Sequence, residues 1–274
     1  MNLGIRLHDI VGELTEKLEM ARTYGFSCAH LALSKVGNYQ GIGSLTPGYA
    51  LYLKKMFASH NLEVAVLGCY LNLANPNPAA MKEIISAYQA HIRFASLLQA
   101  GVVGTETGCP NEMYSFDEQT HTEEALSYFT QNLKQVVRIA EKFGVILAIE
   151  PVYRHIVHDA KTARRVLDEI NSSNLQIIFD PVNLLSVDNH QQREHIFAEF
   201  INLLADDIAV IHIKDYRVEG NEIISCACKT GMMDYTRIVN FIKQKKPYIH
   251  VTLEDTNAQN VVAAKEFLEE LMAG

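Results

Sequence analysis

The chain has 274 residues, a formal net charge of −8 and a hydrophobic fraction of 48%. This composition supports a large folded core and excludes a disordered chain. The acidic balance also disfavours a general nucleic-acid binder, because contacts to phosphates need clustered lysine and arginine side chains.

The apolar stretches are all shorter than the roughly 18 residues that a membrane-spanning helix needs. Residues 1–9 run directly into a strand pattern, so we expect no signal peptide. The cysteines are odd in number and widely scattered, which indicates reduced thiols and a cytoplasmic protein. They are Cys28, Cys69, Cys109, Cys226 and Cys228.

Eight apolar segments of strand length alternate with eight segments of helical periodicity. The predicted strands cover residues 3–8, 28–33, 62–71, 101–107, 145–150, 175–180, 208–213 and 248–254. The predicted helices cover residues 10–24, 49–60, 79–99, 123–143, 159–170, 191–204, 235–244 and 258–272. Asp9 and Asp159 are candidate helix caps, and glycines predict loops at 37–48 and around Gly220 and Gly231.

Regular alternation of strands and helices predicts an α/β fold with a parallel sheet, and eight units predict a closed (β/α)8 TIM barrel. An open doubly wound sheet is the alternative. It is disfavoured because no Gly-x-Gly-x-x-Gly turn follows the first strand. No linker or long repeat divides the chain, so we expect one barrel domain over residues 1–274.

The last four predicted strands each carry a potential metal ligand near the carboxyl end, where such barrels place their chemistry. These residues are Glu150, Asp180, His212 and Glu254. Because alternate residues of a strand face opposite sides, one parity points all four into the barrel. The outward positions then hold Ile149, Phe179, Ile211 and Leu253. Three carboxylates and one imidazole suit Mn²⁺ or Mg²⁺, with Co²⁺ or Zn²⁺ as alternatives.

Other polar residues near the strand ends are candidate substrate contacts. His8 ends the first predicted strand, and Glu106 lies at the top of the fourth. Arg154, on the loop after strand five, could meet an acidic or phosphate group, or it could remain in solvent. Lys214 and Asp215 follow the strand-seven ligand with opposite parities. One of them should therefore support the site, and the other a neighbouring loop.

Four motifs carry a family resemblance: Ile149-Glu150-Pro151, Phe179-Asp180-Pro181-Val182-Asn183, His212-Ile213-Lys214-Asp215 and Leu253-Glu254-Asp255. Through them the chain resembles the xylose isomerase-like (β/α)8 barrel superfamily of sugar phosphate isomerases and epimerases. The resemblance implies one divalent metal ion bound by Glu150, Asp180, His212 and Glu254, with the two glutamates also carrying protons. It implies an enzyme that isomerises or epimerises a small sugar, keto-sugar or polyol through an enediolate.

The resemblance is weaker around the substrate than around the metal. Ketose 3-epimerases have a second glutamate shortly after the strand-five ligand, where this chain has residues 152–156 without a carboxylate. They have a histidine where Asn183 stands, whereas Arg217 roughly preserves an arginine used for substrate oxygens. Asn183 and Arg217 therefore join the candidate substrate contacts.

Three alternatives to the isomerase interpretation follow from the same superfamily. An inosose-type dehydratase would use the same metal site, and a sugar-binding barrel could have lost turnover. Apurinic endonucleases use three zinc ions and histidines from strands two and three. The corresponding ends here, residues 33–34 and 69–72, contain no histidine, which disfavours an endonuclease. Barrels of this kind are often dimers or tetramers, so a homo-oligomer is an open alternative to a monomer.

Overall fold

The computed structural model describes residues 1–36 and 39–274, and these residues form a closed eight-stranded parallel barrel surrounded by eight helices. This confirms the predicted (β/α)8 fold. Around the barrel, the strands follow the order β1-β10-β7-β6-β5-β4-β3-β2. The barrel strands are β1 (Asn2–Arg6), β2 (Cys28–Leu31), β3 (Glu63–Gly68), β4 (Val102–Glu106), β5 (Leu147–Glu150), β6 (Leu175–Phe179), β7 (Ile208–Ile213) and β10 (His250–Leu253).

The helices form the outer layer, and capping side chains define where several of them begin. Asp159 caps its helix as predicted, and its Oδ1 accepts a hydrogen bond from the Thr162 backbone N–H at 2.8 Å. The helices are α1 (Leu14–Thr23), α2 (Pro47–Ser59), α3 (Pro78–Leu98), α4 (Glu123–Phe143), α5 (Ala160–Ile170), α6 (Arg193–Leu204), α7 (Thr236–Lys245) and α8 (Val261–Ala273). None of the helices in the described residues is long and apolar enough to cross a membrane.

The predicted cap of the first helix was wrong. Asp9 accepts a hydrogen bond from Arg6 Nε at 2.8 Å, and α1 begins four residues later than predicted. The chain turns at Gly12, whose φ of 112° is incompatible with a helix. Glu13 then forms a capping box with Glu16.

Several predicted strands extended too far at their carboxyl ends. Strand β2 ends at Leu31 instead of residue 33, and β3 ends at Gly68 instead of residue 71. The first strand ends at Arg6, so His8 lies in a short 3-10 turn after it. Residues such as Leu33 are buried although they lie beyond the end of the strand. Because buried turn residues are as hydrophobic as strand residues, the sequence pattern placed the strand ends too late.

The regions predicted as long loops contain more structure than their glycines indicated. Of the predicted loop 37–48, Gly37 and Asn38 lie outside the described residues, and the remainder includes a 3-10 turn and the start of α2. The segment after β7 forms an antiparallel hairpin of β8 (Asp215–Glu219) and β9 (Glu222–Cys226). Half or more of each hairpin strand is not buried, so the hairpin has no clear hydrophobic pattern.

The interior of the barrel is filled by a compact set of mostly small apolar side chains. Gly104 belongs to this interior, because a Cβ there would lie 2.7 Å from Val66 Cγ1 and 2.8 Å from Ile178 Cδ1. The larger apolar residues face outward, and Phe179 stacks on Phe200 of α6 at a centroid distance of 4.5 Å. The four residues predicted to face outward are fully buried: Ile149, Phe179, Ile211 and Leu253.

Candidate active site at the carboxyl ends of the strands

The structure brings the four candidate metal ligands together at the carboxyl ends of four adjacent strands. Glu150 ends β5, Asp180 follows β6, His212 lies near the end of β7, and Glu254 follows β10. All four are buried. The Nδ1 atom of His212 lies 3.5 Å from Glu150 Oε2 and 3.2 Å from Glu254 Oε1. One imidazole therefore lies between the two glutamates that the family resemblance singles out.

The donor atoms of this cluster fit a divalent metal ion. Both ring nitrogens of His212 are buried without a hydrogen-bond partner in the described part of the chain, which is unusual for a folded protein. Glu150, Asp180 and His212 form one group whose potential ligand atoms lie within 4.8 Å of one another. A second group, with the same spacing, consists of His30, His212 and Glu254.

Lys214 introduces a positive charge into this cluster. Its Nζ atom lies 2.7 Å from Asp180 Oδ2 and 3.0 Å from Glu254 Oε2. Burial raises the pKa of Asp180 to about 6, although the Lys214 ammonium opposes this rise. Burial alone would lower the pKa of Lys214, but the surrounding carboxylates raise it above its usual range. Lys214 is therefore a charged component of the site.

Asp215, the neighbour of opposite parity, supports a loop outside the site. Its carboxylate accepts backbone hydrogen bonds from Tyr216, Gly231 and Met233 at 2.8–2.9 Å. These contacts attach the start of the β8–β9 hairpin to the segment before α7. The two residues thus divide between site and loop as their alternating parity predicted.

Glu254 has the largest number of charged neighbours of the four candidate ligands. Arg6 Nη1, from the end of β1, lies 2.6 Å from Glu254 Oε2. Burial would raise the pKa of Glu254, but Lys214, His212 and Arg6 hold it well below its usual range. For His212, burial lowers the pKa, but Glu254 and Glu150 outweigh this effect and raise it to about 9. His212 is therefore protonated at neutral pH when no metal ion is bound, and it would release that proton to act as a ligand.

His30 is a site residue that was missed from the sequence. It lies in β2 and is buried, and its ring stacks on His212 with centroids 5.2 Å apart. Its Nε2 atom is 2.8 Å from the hydroxyl of Tyr70, which follows β3. The expectation that strand two carries no histidine to the site was wrong, because the strand ends earlier than predicted. The inward parity shared by Cys28 and His30 was the available signal.

Three of the predicted substrate-binding residues, His8, Glu106 and Asn183, line a central cavity of about 200 Å³ at the carboxyl ends of the strands. Asn183 Nδ2 donates a hydrogen bond of 2.6 Å to Glu150 Oε1. Burial lowers the pKa of His8 to about 4. Burial and the neighbouring Glu150 raise the pKa of Glu106 to about 7, and the Tyr114 hydroxyl donates to its Oε2 at 3.2 Å.

The two predicted arginine contacts lie farther out. Arg154 is exposed and lines an outer cavity of about 500 Å³, which shares Asn183 with the central cavity and extends to the β8–β9 hairpin. Arg217 lines neither cavity. Its side chain is exposed on β8, and its Nε donates to the carbonyl oxygen of Thr230 at 2.8 Å. The structure therefore does not bring Arg217 to the site, because the unpredicted hairpin carries it away.

Comparison with known proteins identifies relatives along the whole chain. Uncharacterized protein MJ1311 of Methanocaldococcus jannaschii is 23% identical over 265 residues, covering 94% of this chain and 85% of that protein. A solved D-tagatose 3-epimerase-like protein superposes with a TM-score of 0.79 at 20% identity, covering 100% of this chain and 97% of that one. The IolI protein with a bound zinc atom gives a TM-score of 0.73 at 15% identity, covering 100% and 95%. At these low sequence identities, the two superpositions establish a shared fold only.

The match to a family model assigns the chain to a family, which these individual similarities do not. The model for the xylose isomerase-like TIM barrel matches residues 18–271, which includes all four candidate metal ligands. This confirms the resemblance based on the strand-end motifs. The chain belongs to the xylose isomerase-like TIM barrel family.

Proposed function

We propose that the protein is a divalent-metal-dependent isomerase or epimerase of a small sugar, keto-sugar or polyol. The observation that carries this proposal is the convergence of Glu150 and Glu254 on His212, from strands separated by β6 and β7. Two carboxylates on opposite flanks of one site can exchange protons with two positions of a bound substrate. The structural similarity to a D-tagatose 3-epimerase-like protein supports the same class of reaction.

The four ligand residues have two kinds of proposed role, because the two glutamates also carry protons. A divalent ion bound there would polarise a substrate carbonyl and acidify the neighbouring C–H. One of Glu150 and Glu254 removes that proton. The other returns a proton to the opposite face in an epimerisation, or to the adjacent carbon in an isomerisation. Asp180 and His212 act as ligands only. These four residues by themselves suit Mn²⁺ or Mg²⁺.

Neighbouring residues set the ionisation of Glu254 and the orientation of Glu150. Arg6 and Lys214 keep Glu254 ionised, as a base or metal ligand requires. The Asn183 amide orients Glu150 through its hydrogen bond to Oε1. The central cavity is small and mostly polar, so it suits a compact polyhydroxylated substrate better than an apolar one.

The substrate contacts divide between the two cavities. We assign His8 and Glu106 to hydroxyl groups in the central cavity, where both side chains form part of the wall. Asn183 lines both cavities, whereas Arg154 lines the outer cavity and would contact a distal part of the substrate, including an acidic group if one is present. Arg217 receives no role.

The proposal is tested by following hydrogen exchange in deuterated water. Metal-loaded protein is incubated with a panel of ketoses, inososes and sugar phosphates, and carbon-bound deuterium is measured by NMR. We expect exchange next to the carbonyl of at least one compound, and Glu150→Gln should reduce its rate by at least about 1,000-fold. Glu63→Gln is the matched control, because Glu63 is an exposed glutamate at the start of β3.

Each result of the exchange experiment separates one interpretation from the others. Exchange lost in Glu150→Gln and retained in Glu63→Gln supports the isomerase or epimerase. Loss of water from an inosose without solvent exchange would replace it with a dehydratase. Binding of a sugar with neither event across the panel would replace it with a sugar-binding barrel. Equal exchange rates in Glu150→Gln and the unmodified protein would contradict the role of Glu150.

A further inference from the structure

His30 offers a free imidazole nitrogen near two of the predicted ligands, His212 and Glu254. Its Nδ1 atom is buried without a hydrogen-bond partner among the described residues. It lies 4.0 Å from Glu254 Oε1, and this oxygen is 3.2 Å from His212 Nδ1. Two unpartnered nitrogens from two strands therefore converge on one carboxylate oxygen. A bound cation would satisfy both of them.

The surroundings of His30 fix its ring for this role. The Tyr70 hydroxyl lies 2.8 Å from Nε2, so Nε2–H can donate to it and leave the Nδ1 lone pair facing the site. A Cβ at Gly68 would lie 2.5 Å from Tyr70 Cε2 and 3.2 Å from His30 Nε2. The glycine therefore leaves the space that this tyrosine–histidine pair occupies. Metal-binding histidines usually have such a partner on their second nitrogen.

We infer that His30 is an additional ligand of the metal ion and that the site consequently binds Zn²⁺ or Co²⁺ in preference to Mn²⁺ or Mg²⁺. The inference rests on the proposed metal centre and specifies its metal. A second imidazole shifts the donor set from oxygen-rich towards the mixed nitrogen and oxygen sets that zinc and cobalt favour. The expectation of manganese or magnesium took only one imidazole into account.

The test measures metal affinity without reference to turnover. Metal-free protein is titrated with Zn²⁺ and with Mn²⁺ in competition with a chromophoric chelator. We expect His30→Gln to lower the Zn²⁺ affinity about 100-fold and to change the Mn²⁺ affinity by less than about threefold. Tyr70→Phe should lower the Zn²⁺ affinity about 10-fold, because it removes the partner of Nε2. His250→Gln is the matched histidine control, since His250 pairs with Glu63 at the opposite end of the barrel.

X-ray absorption at the zinc edge provides a direct readout of the ligands. We expect scattering from two imidazoles in the unmodified protein and from one in His30→Gln. Unchanged zinc affinity and one imidazole in both proteins would overturn the inference. The Asp180→Asn variant separates this failure from that of the metal centre itself. If Asp180→Asn abolishes metal binding while His30→Gln has no effect, only His30 is misassigned. If the unmodified protein binds neither metal, the proposed function also fails.

Discussion

The two halves of the barrel contribute differently to the site. Strands β5, β6, β7 and β10 supply the carboxylates and the imidazole that match the family motifs. Strands β1 to β4 and the turns after them supply Arg6, His30, Tyr70 and Glu106. The first set contains the four ligands that the family motifs predict, including the two proton carriers, whereas the second contributes the charge of Arg6 and the additional ligand His30. The family motifs therefore indicate that a metal site exists more clearly than they indicate which ion or which substrate it binds.

Glu254 joins the two halves, and its replacement should have the largest effect on stability. It pairs with Arg6 from β1 and with Lys214 and His212 from β7. Glu254→Gln removes the buried anion that these three groups share, so we expect the free energy of unfolding to fall by about 4 kcal/mol. Each of the three groups retains at least one other carboxylate neighbour. Glu150→Gln should cost only about 1 kcal/mol, because Asn183 can still donate to the amide oxygen.

Urea denaturation of the two metal-free glutamate variants tests this difference. Both proteins carry the same substitution on opposite flanks of the same site, so each is the control for the other. Equal losses of stability would show that Glu254 does not connect the two halves. Circular dichroism before denaturation confirms that each variant is folded at the start.

Lys214 tests whether a metal ion and a buried ammonium share the same carboxylates. Lys214→Met removes the cation that lies between Asp180 and Glu254. We expect metal-free protein to lose about 3 kcal/mol of unfolding free energy, because Asp180 loses the ammonium in contact with it, whereas Glu254 retains Arg6 and His212. In metal-saturated protein the loss should be smaller, since the ion supplies positive charge to the same oxygens. An equal loss in both conditions, measured by urea unfolding, would contradict this sharing.

The sequence predicted the fold and the second half of the site more completely than the first half. Glu150 ends an uninterrupted apolar run, and Asp180 and Glu254 each follow a strand whose last residue is a large apolar one. The strand period then determines which side they face. Charged residues after apolar runs mark the rim of a parallel barrel well. His30 gave a weaker signal, because buried apolar residues continue beyond it and concealed the end of β2.

Substrate contacts were the least predictable part, because they depend on the paths of loops. Arg217 has the expected spacing from the strand-seven ligand, yet the β8–β9 hairpin turns it towards Thr230. Most residues of these short strands are not buried, so no hydrophobic period indicated them. Tyr70 was assigned to a strand that ends two residues before it. Its contact with His30 joins parts of the chain 40 residues apart.

Glu106, in the first half of the barrel, should show the smallest of these effects, as a change in the pH dependence of stability. Burial and Glu150 raise its pKa from 4.5 to about 7, so the folded protein binds this proton more tightly than the unfolded chain does. Its contribution to stability is fully present below a pH of about 4.5 and is lost as the pH rises through about 7. Because the side chain is partly exposed, we expect a contribution of about 1 kcal/mol.

Urea unfolding at pH values of about 5 and 8 measures this contribution. The unmodified protein should lose more stability between these values than Glu106→Gln, which cannot ionise. Tyr114→Phe removes the hydroxyl that donates to Glu106, and this hydrogen bond opposes the rise in pKa. That variant should therefore show a larger loss over the same range. If all three proteins have the same pH dependence, Glu106 does not retain its proton in the folded state. The first half of the barrel would then affect the site through Arg6, His30 and Tyr70 and not through Glu106.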